Sequence, residues 1–125
     1  MRIFKFILIF FALLFSIEVS AQTFKIFEYN DYSERSQESI QKNKAKYLGS
    51  KITLEFYGND VKLIDELDTA HPIVLTKVAE NKYETTRGSD KCILTLSTWI
   101  HYIRSGELNV YRENEHLGKI VFKRD

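Results

Sequence analysis

Apolar and polar residues alternate one for one along most of this chain after residue 50, and a period of two puts successive side chains on opposite faces of extended backbone. The cleanest run is Lys51-Ile52-Thr53-Leu54-Glu55-Phe56, with Ile52, Leu54 and Phe56 on one face. Tyr57-Gly58-Asn59-Asp60 follows, rich in turn formers, and Val61-Lys62-Leu63-Ile64-Asp65 resumes the strand pattern. Two short alternating runs joined by such a turn predict a β-hairpin.

The pattern continues to the C-terminus. Pro72 opens a β-branched run from Ile73 to Ala79, a position at which a strand tolerates proline. Asn81 marks a turn, and Lys82 to Thr86 places Tyr83 and Thr85 on one face. After Arg87-Gly88-Ser89-Asp90, the run Lys91 to Thr98 turns Cys92, Leu94 and Leu96 inward. Trp99 to Arg104 reads as a further run broken by Ser105-Gly106; Glu107 to Arg112 alternates around Leu108 and Val110, and Lys119 to Lys123 around Ile120 and Phe122. Nearer the start, Thr23 to Tyr29 alternates around Phe24, either Ile26 or Phe27, and Tyr29. About eight short strands result, with turn signals every 8–12 residues or so, the mark of an all-β barrel or sandwich. After Lys51 no stretch between them is long enough for a crossover helix, so the strands pair antiparallel, mostly as a meander. Asp31 to Leu48 is polar, offering only Tyr32, Ile40, Ala45, Tyr47 and Leu48 for burial. A short helix capped near Ser33 fits it, but its charge favours an exposed strand or loop.

The N-terminus speaks to compartment. Arg2 and Lys5 precede ten consecutive apolar residues, Phe6 to Phe15, and small residues Val19, Ser20 and Ala21 follow. That is the order of a secretory signal, with the expected cut between Ala21 and Gln22. The apolar run is shorter than the about 20 residues a membrane span needs, so residues 1–21 read as a cleaved signal, with no span left afterwards. The working protein is then a single domain, 22–125, periplasmic or secreted. Removing Arg2, Lys5 and Glu18 leaves equal numbers of acidic and basic residues, which argues against general nucleic-acid binding. The basic stretch Lys42-Asn43-Lys44-Ala45-Lys46 lacks the glycines and stacking aromatics of a phosphate or nucleic-acid site and reads as a solvated loop. Cys92 is the one cysteine, so no internal disulfide is possible and the apolar core must hold the fold alone. Set in the apolar alternating run Lys91 to Leu96, Cys92 reads as a small buried residue rather than a reactive thiol.

Sites of chemistry are hard to find. His71, His101 and His116 are far from metal-ligand spacing, and Asp65, Glu66 and Asp68 lack both the glycine of a calcium loop and the opposed geometry of a glycosidase pair. They read as a solvated turn. There is no Gly-x-Ser-x-Gly elbow, phosphate loop or dinucleotide fingerprint, so neither a cofactor nor a metal is expected and the chain reads as a non-enzyme. Aromatic residues are the compositional oddity. Most fill a barrel interior, but Tyr57, Trp99 and Tyr111 fall out of phase with the aliphatic faces of their strands. With His101 beside Trp99, they are the candidate ligand- or partner-binding residues.

The chain resembles short exported β-proteins of Bacteroidota without an assigned function. The likeness is carried by Ala21-Gln22 at the end of the signal, the hairpin Ile52 to Phe56 with Val61 to Ile64, the cysteine-bearing strand Lys91 to Leu96, and the terminal strands Glu107 to Tyr111 and Lys119 to Phe122. It implies a small lipocalin-like barrel or partial barrel and carries over no active residues.

The leading expectation is a non-catalytic binding module. A barrel of about 100 residues has room for little more than its own side chains, which favours a protein or surface partner, or a small apolar ligand, over a large one. Two further readings are strand addition or self-association through an open edge, and a small hydrolase whose site is assembled from distant strands.

Overall fold

The computed structural model describes residues 19–100 and 102–124. The body of the expected signal and His101 therefore lie outside the described residues. Eight strands and one helix are described: β1 (Val19–Asp31), α1 (Gln37–Tyr47), β2 (Lys51–Tyr57), β3 (Asp60–Asp65), β4 (Ile73–Ala79), β5 (Lys82–Arg87), β6 (Asp90–Trp99), β7 (Tyr102–Arg112) and β8 (Glu115–Lys123). Each strand pairs antiparallel with the next, and β8 returns to β1, so the meander closes into a barrel. Closure satisfies the backbone groups that an open sheet would leave bare, which removes the uncovered edge that strand addition requires.

β1 makes that closure by serving two neighbours in succession. Its first half pairs with β2 through Lys25↔Lys51, and its second half pairs with β8 from Lys25↔Lys123 onward. A register shift between Ile26 and Glu28 marks a bulge in the strand. The bulge explains why the inward residue could not be chosen from alternation: Ile26 is buried, Phe27 is exposed, and Tyr29 returns to the core side. β1 begins at Val19, so the pairs Val19↔Tyr57, Ser20↔Phe56 and Ala21↔Glu55 lie on the N-terminal side of the expected signal cut.

The core follows the period of two. Ile52 and Leu54, Val61 and Leu63, Cys92, Leu94 and Leu96, and Leu108 are all buried. Phe24, Phe122, Leu54, Leu75, Leu94 and Val61 are almost wholly enclosed, and the Phe24 and Phe122 rings meet edge to face at 5.2 Å. Side chains fill the interior, as expected for a barrel of this strand number.

Two expectations fail. Ser105-Gly106 does not break the chain: β7 runs unbroken from Tyr102 to Arg112, and the turn falls earlier, at Ile100. Gly106 looks like a breaker because it lacks a side chain, but it lies directly across from Phe122, whose ring occupies the space a Cβ would need. Second, 37–47 is a helix rather than an exposed strand or loop, and its cap is Ser36, not Ser33: Ser39 N–H donates to Ser36 Oγ at 3.2 Å. Glu38 in the first turn and Lys44 and Lys46 in the last complement the helix dipole. None of its residues is buried, which is why the helix leaves no apolar stripe in the sequence. Lys42, Lys44 and Lys46 thus lie on a helix rather than in a loop. The helix returns to the barrel through Gly49, whose φ of +83° suits glycine, and Gly49 N–H and Ile26 N–H each close a 2.9 Å bond to the other segment, at Ile26 C=O and Ser50 C=O.

Candidate functional site

Odd-numbered strands run toward one end of the barrel and even-numbered strands away from it. The helix end carries α1, the 66–72 connection and the turns at Gly88 and Asn114; the opposite end carries the turns at Gly58, Asn81 and Ile100. This polarity separates the candidate aromatic residues. Tyr57 and Trp99 lie at the turn end, on strands half a circumference apart, whereas Tyr111 lies at the helix end beside the β7–β8 turn. They form no common patch. Tyr57 donates its hydroxyl to Glu55. Tyr111 stacks on His116 at 4.7 Å, and His116 is covered from a second direction by Tyr32 at 4.9 Å while its Nε2 lies 2.8 Å from Asn109 Oδ1. Trp99 meets Tyr102 edge to face at 6.1 Å.

Alternation could not reveal what the helix end assembles, because its parts come from elements far apart in the chain. There the inward residues of the strands reach the mouth of the barrel, and α1 shields part of it. Tyr47, in the last turn of α1, lies parallel to Tyr29 of β1 with centroids 5.3 Å apart. On one side is a recess of ≈ 270 Å³ with Tyr29, Leu108, Val110, Leu117 and Ile120 as its apolar lining and Asp31, Arg35, Asp90 and Arg112 at its rim. Tyr47 itself borders a second recess of ≈ 260 Å³ with Leu63, Ile73, Asp65, Asp68, His71 and Arg87.

The rim is charged but nearly balanced. Arg112 forks onto Asp90, Nε to Oδ1 at 2.8 Å and Nη2 to Oδ2 at 3.3 Å. Burial alone would raise the Asp31 carboxyl, but hydrogen bonding from Ser33 and the charge of Arg35 outweigh it and hold the group below its ordinary value. The Ser33 N–H donates to Asp31 Oδ1 at 2.9 Å, while the Ser33 hydroxyl, shielded from water, lies near the same carboxylate without completing a well-formed bond. Burial pushes the Tyr29 hydroxyl up, reinforced by Asp31 and Tyr47 against the pull of Arg35, so it stays protonated and can donate. Cys92 is buried on the inner face of β6, and that burial pushes its thiol up, against Arg87 and with Asp90. A thiol so placed is a poor nucleophile.

The Asp65–Asp68 turn is held by its own atoms. Leu67 N–H donates to Asp65 Oδ1 at 3.0 Å, and His71 Nδ1 lies 2.9 Å from Asp68 Oδ1. Among the described residues the His71 ring bonds with Asp68 alone, so no hydroxyl or thiol stands beside it as a nucleophile would. Nor do the described residues hold a group of three or more potential metal ligands, or a helix long and apolar enough to cross a membrane.

Fold and recess together define a small closed antiparallel β-barrel with a filled interior and a helix-shielded mouth. No protein-family model, curated protein or solved structure matches the chain.

Proposed function

We propose that this chain is an exported, non-catalytic binding module that takes a small amphipathic ligand at its helix-shielded mouth. The observation that carries the reading is the contrast between a barrel packed solid with Phe24, Phe122, Leu54, Leu75, Leu94 and Val61 and a recess of ≈ 270 Å³ at its rim. Ligand pockets for drug-sized molecules span about 300–1,000 Å³, so the recess suits an occupant at or below the small end of that range. Its chemistry is two-sided. Leu108, Val110 and Ile120 offer apolar contact, and Arg35, the Ser33 hydroxyl and the Tyr29 hydroxyl offer a polar grip at the rim. Export rests on the order of charges, apolar run and small residues at the N-terminus, and kinship with the exported Bacteroidota β-proteins rests on Ala21-Gln22 together with the strand pattern.

The test is affinity capture of the processed domain from an envelope extract of its own host, followed by native mass spectrometry. A small molecule should accompany the wild-type domain and be lost from Val110→Trp, which fills the recess. If the wild type carries no small molecule and retains only a protein, the mouth is not a ligand site.

A further inference from the structure

At the turn end, the β6–β7 hairpin outruns its neighbours. On the β5 side the last paired residue is Thr95, opposite Lys82, and one further bond joins Leu96 N–H to Asn81 C=O. On the β8 side pairing ends at Ser105 opposite Lys123, with one further bond from Arg124 N–H to Arg104 C=O. Ser97 to Ile100 are all exposed. The tip proper, Trp99 to Tyr102, thus reaches beyond the neighbouring strands, while Ile103, opposite Thr98, is still buried in the core.

What the tip carries is unusual for a tight turn. Trp99 is 56 % exposed, Ile100 67 % and Tyr102 42 %. Ile100 adopts a φ of +52°, a region that β-branched residues avoid. The comparable positive-φ positions at the other hairpin turns hold Gly58, Asn81, Gly88, Glu113 and Asn114, mostly residue types that tolerate that backbone. Ile100 therefore bears both backbone strain and exposure of an aliphatic side chain to water, and neither favours the folded barrel.

The base of the tip is cationic. Arg104, Lys123 and Arg124 border one open cleft there with Tyr102, Ser97 and Ser105. Lys123 Nζ lies over the exposed Phe27 ring at 4.0 Å, and Arg124 lies over Tyr102 at 5.4 Å while it binds Ile103 C=O and the Gln22 side chain. Among the described residues no carboxylate pairs with these three cations, although the rim at the helix end holds Arg112 on Asp90. An apolar, aromatic projection above a cationic collar fits the interface of a bilayer: Trp and Tyr sit at headgroup depth, aliphatic side chains reach the acyl boundary, and Arg and Lys meet anionic headgroups. Trp99, Ile100 and Tyr102, exposed around the turn, are the side chains that would enter that interface.

We propose that the Trp99–Tyr102 tip docks the barrel peripherally on an anionic lipid surface, leaving the mouth at the opposite end open to solvent. The chain has one tryptophan, so Trp99 reports the event without a label. The purified domain is mixed with vesicles of one part phosphatidylglycerol to two parts phosphatidylcholine, and with phosphatidylcholine alone. Co-sedimentation and a blue shift of Trp99 emission should occur with the anionic vesicles and weaken at high salt. Ile100→Asn removes the aliphatic contact and also relieves the strained φ, so the variant should fold at least as well yet bind at least about tenfold more weakly. Replacing Arg104 and Lys123 together by Gln should weaken binding by roughly fivefold per cation. No shift with anionic vesicles, or equal binding by Ile100→Asn, would overturn the assignment. So would sedimentation velocity showing a dimer of the vesicle-free domain that Ile100→Asn abolishes, since the tip would then pair copies of the chain.

Discussion

A Cβ placed on Gly106 would lie 2.3 Å from Phe122 Cζ and 2.5 Å from Cε2. Phe122 is fully enclosed and braced by Phe24, so its ring has nowhere to retreat. Gly106 has no positive φ, and its role is space rather than conformational freedom. Gly106→Ala should therefore destabilise the domain by about 1–3 kcal/mol through overpacking, read as a lower urea midpoint. Adding Phe122→Leu should recover part of that loss relative to Phe122→Leu alone, because the two changes share one space. At this scale the sequence was readable wherever burial follows alternation, as at Leu54, Leu94 and Leu108. It misled where a residue's role depends on its partner across the ladder. Gly106 alone looks like a stop, and only Phe122 opposite shows it to be a fitted gap. Trp99 was legible as out of phase with its strand, but its distance from Tyr111 depends on which end of the barrel each strand reaches.

Among the elements, α1 is the one that depends most on a single contact. It has eleven residues, none buried, and isolated helices shorter than about 12–15 residues are marginal in water. The parallel stack of Tyr47 on Tyr29 is thus a main source of its order. Tyr47→Ala should cost about 0.5–1.5 kcal/mol beyond lost area, and hydrogen exchange should speed up across Gln37–Tyr47 while β6 and β7 amides stay protected. Equal loss of protection throughout would mean that the helix and the barrel unfold as one unit. The Ser36 cap, Glu38 with Lys42 at the i, i+4 spacing, and basic residues in the last turn were signals of this helix in the sequence. Charge and polarity outweighed them, since the helix packs Tyr47 against the core yet buries none of its residues. The mouth recess was illegible for a related reason: Tyr29, Val110 and Ile120 are ordinary strand residues until closure brings their ends together.

For the whole molecule, the period of two foretold the antiparallel meander, because each strand has one dry face and the connections after Lys51 are short, but not whether the barrel closes. What it left open was the join between first and last strands, which involves the bulge at Phe27. Of the described residues before Gln22, Val19, Ser20 and Ala21 pair with Tyr57, Phe56 and Glu55, and Ser20 and Ala21 are exposed. A chain beginning at Gln22 should therefore keep a β-type circular-dichroism spectrum and a single cooperative thermal transition. Helical minima in that spectrum would refute the architecture.

The join also sets an order of events. β1 is made first and β8 last, yet the upper half of β1 has its ladder partner only in β8. While Gly118 to Lys123 are still held in a ribosome or a narrow pore, the ring stays open and Phe24 lacks the ring of Phe122. The ring therefore latches shut only once β8 is free to meet β1.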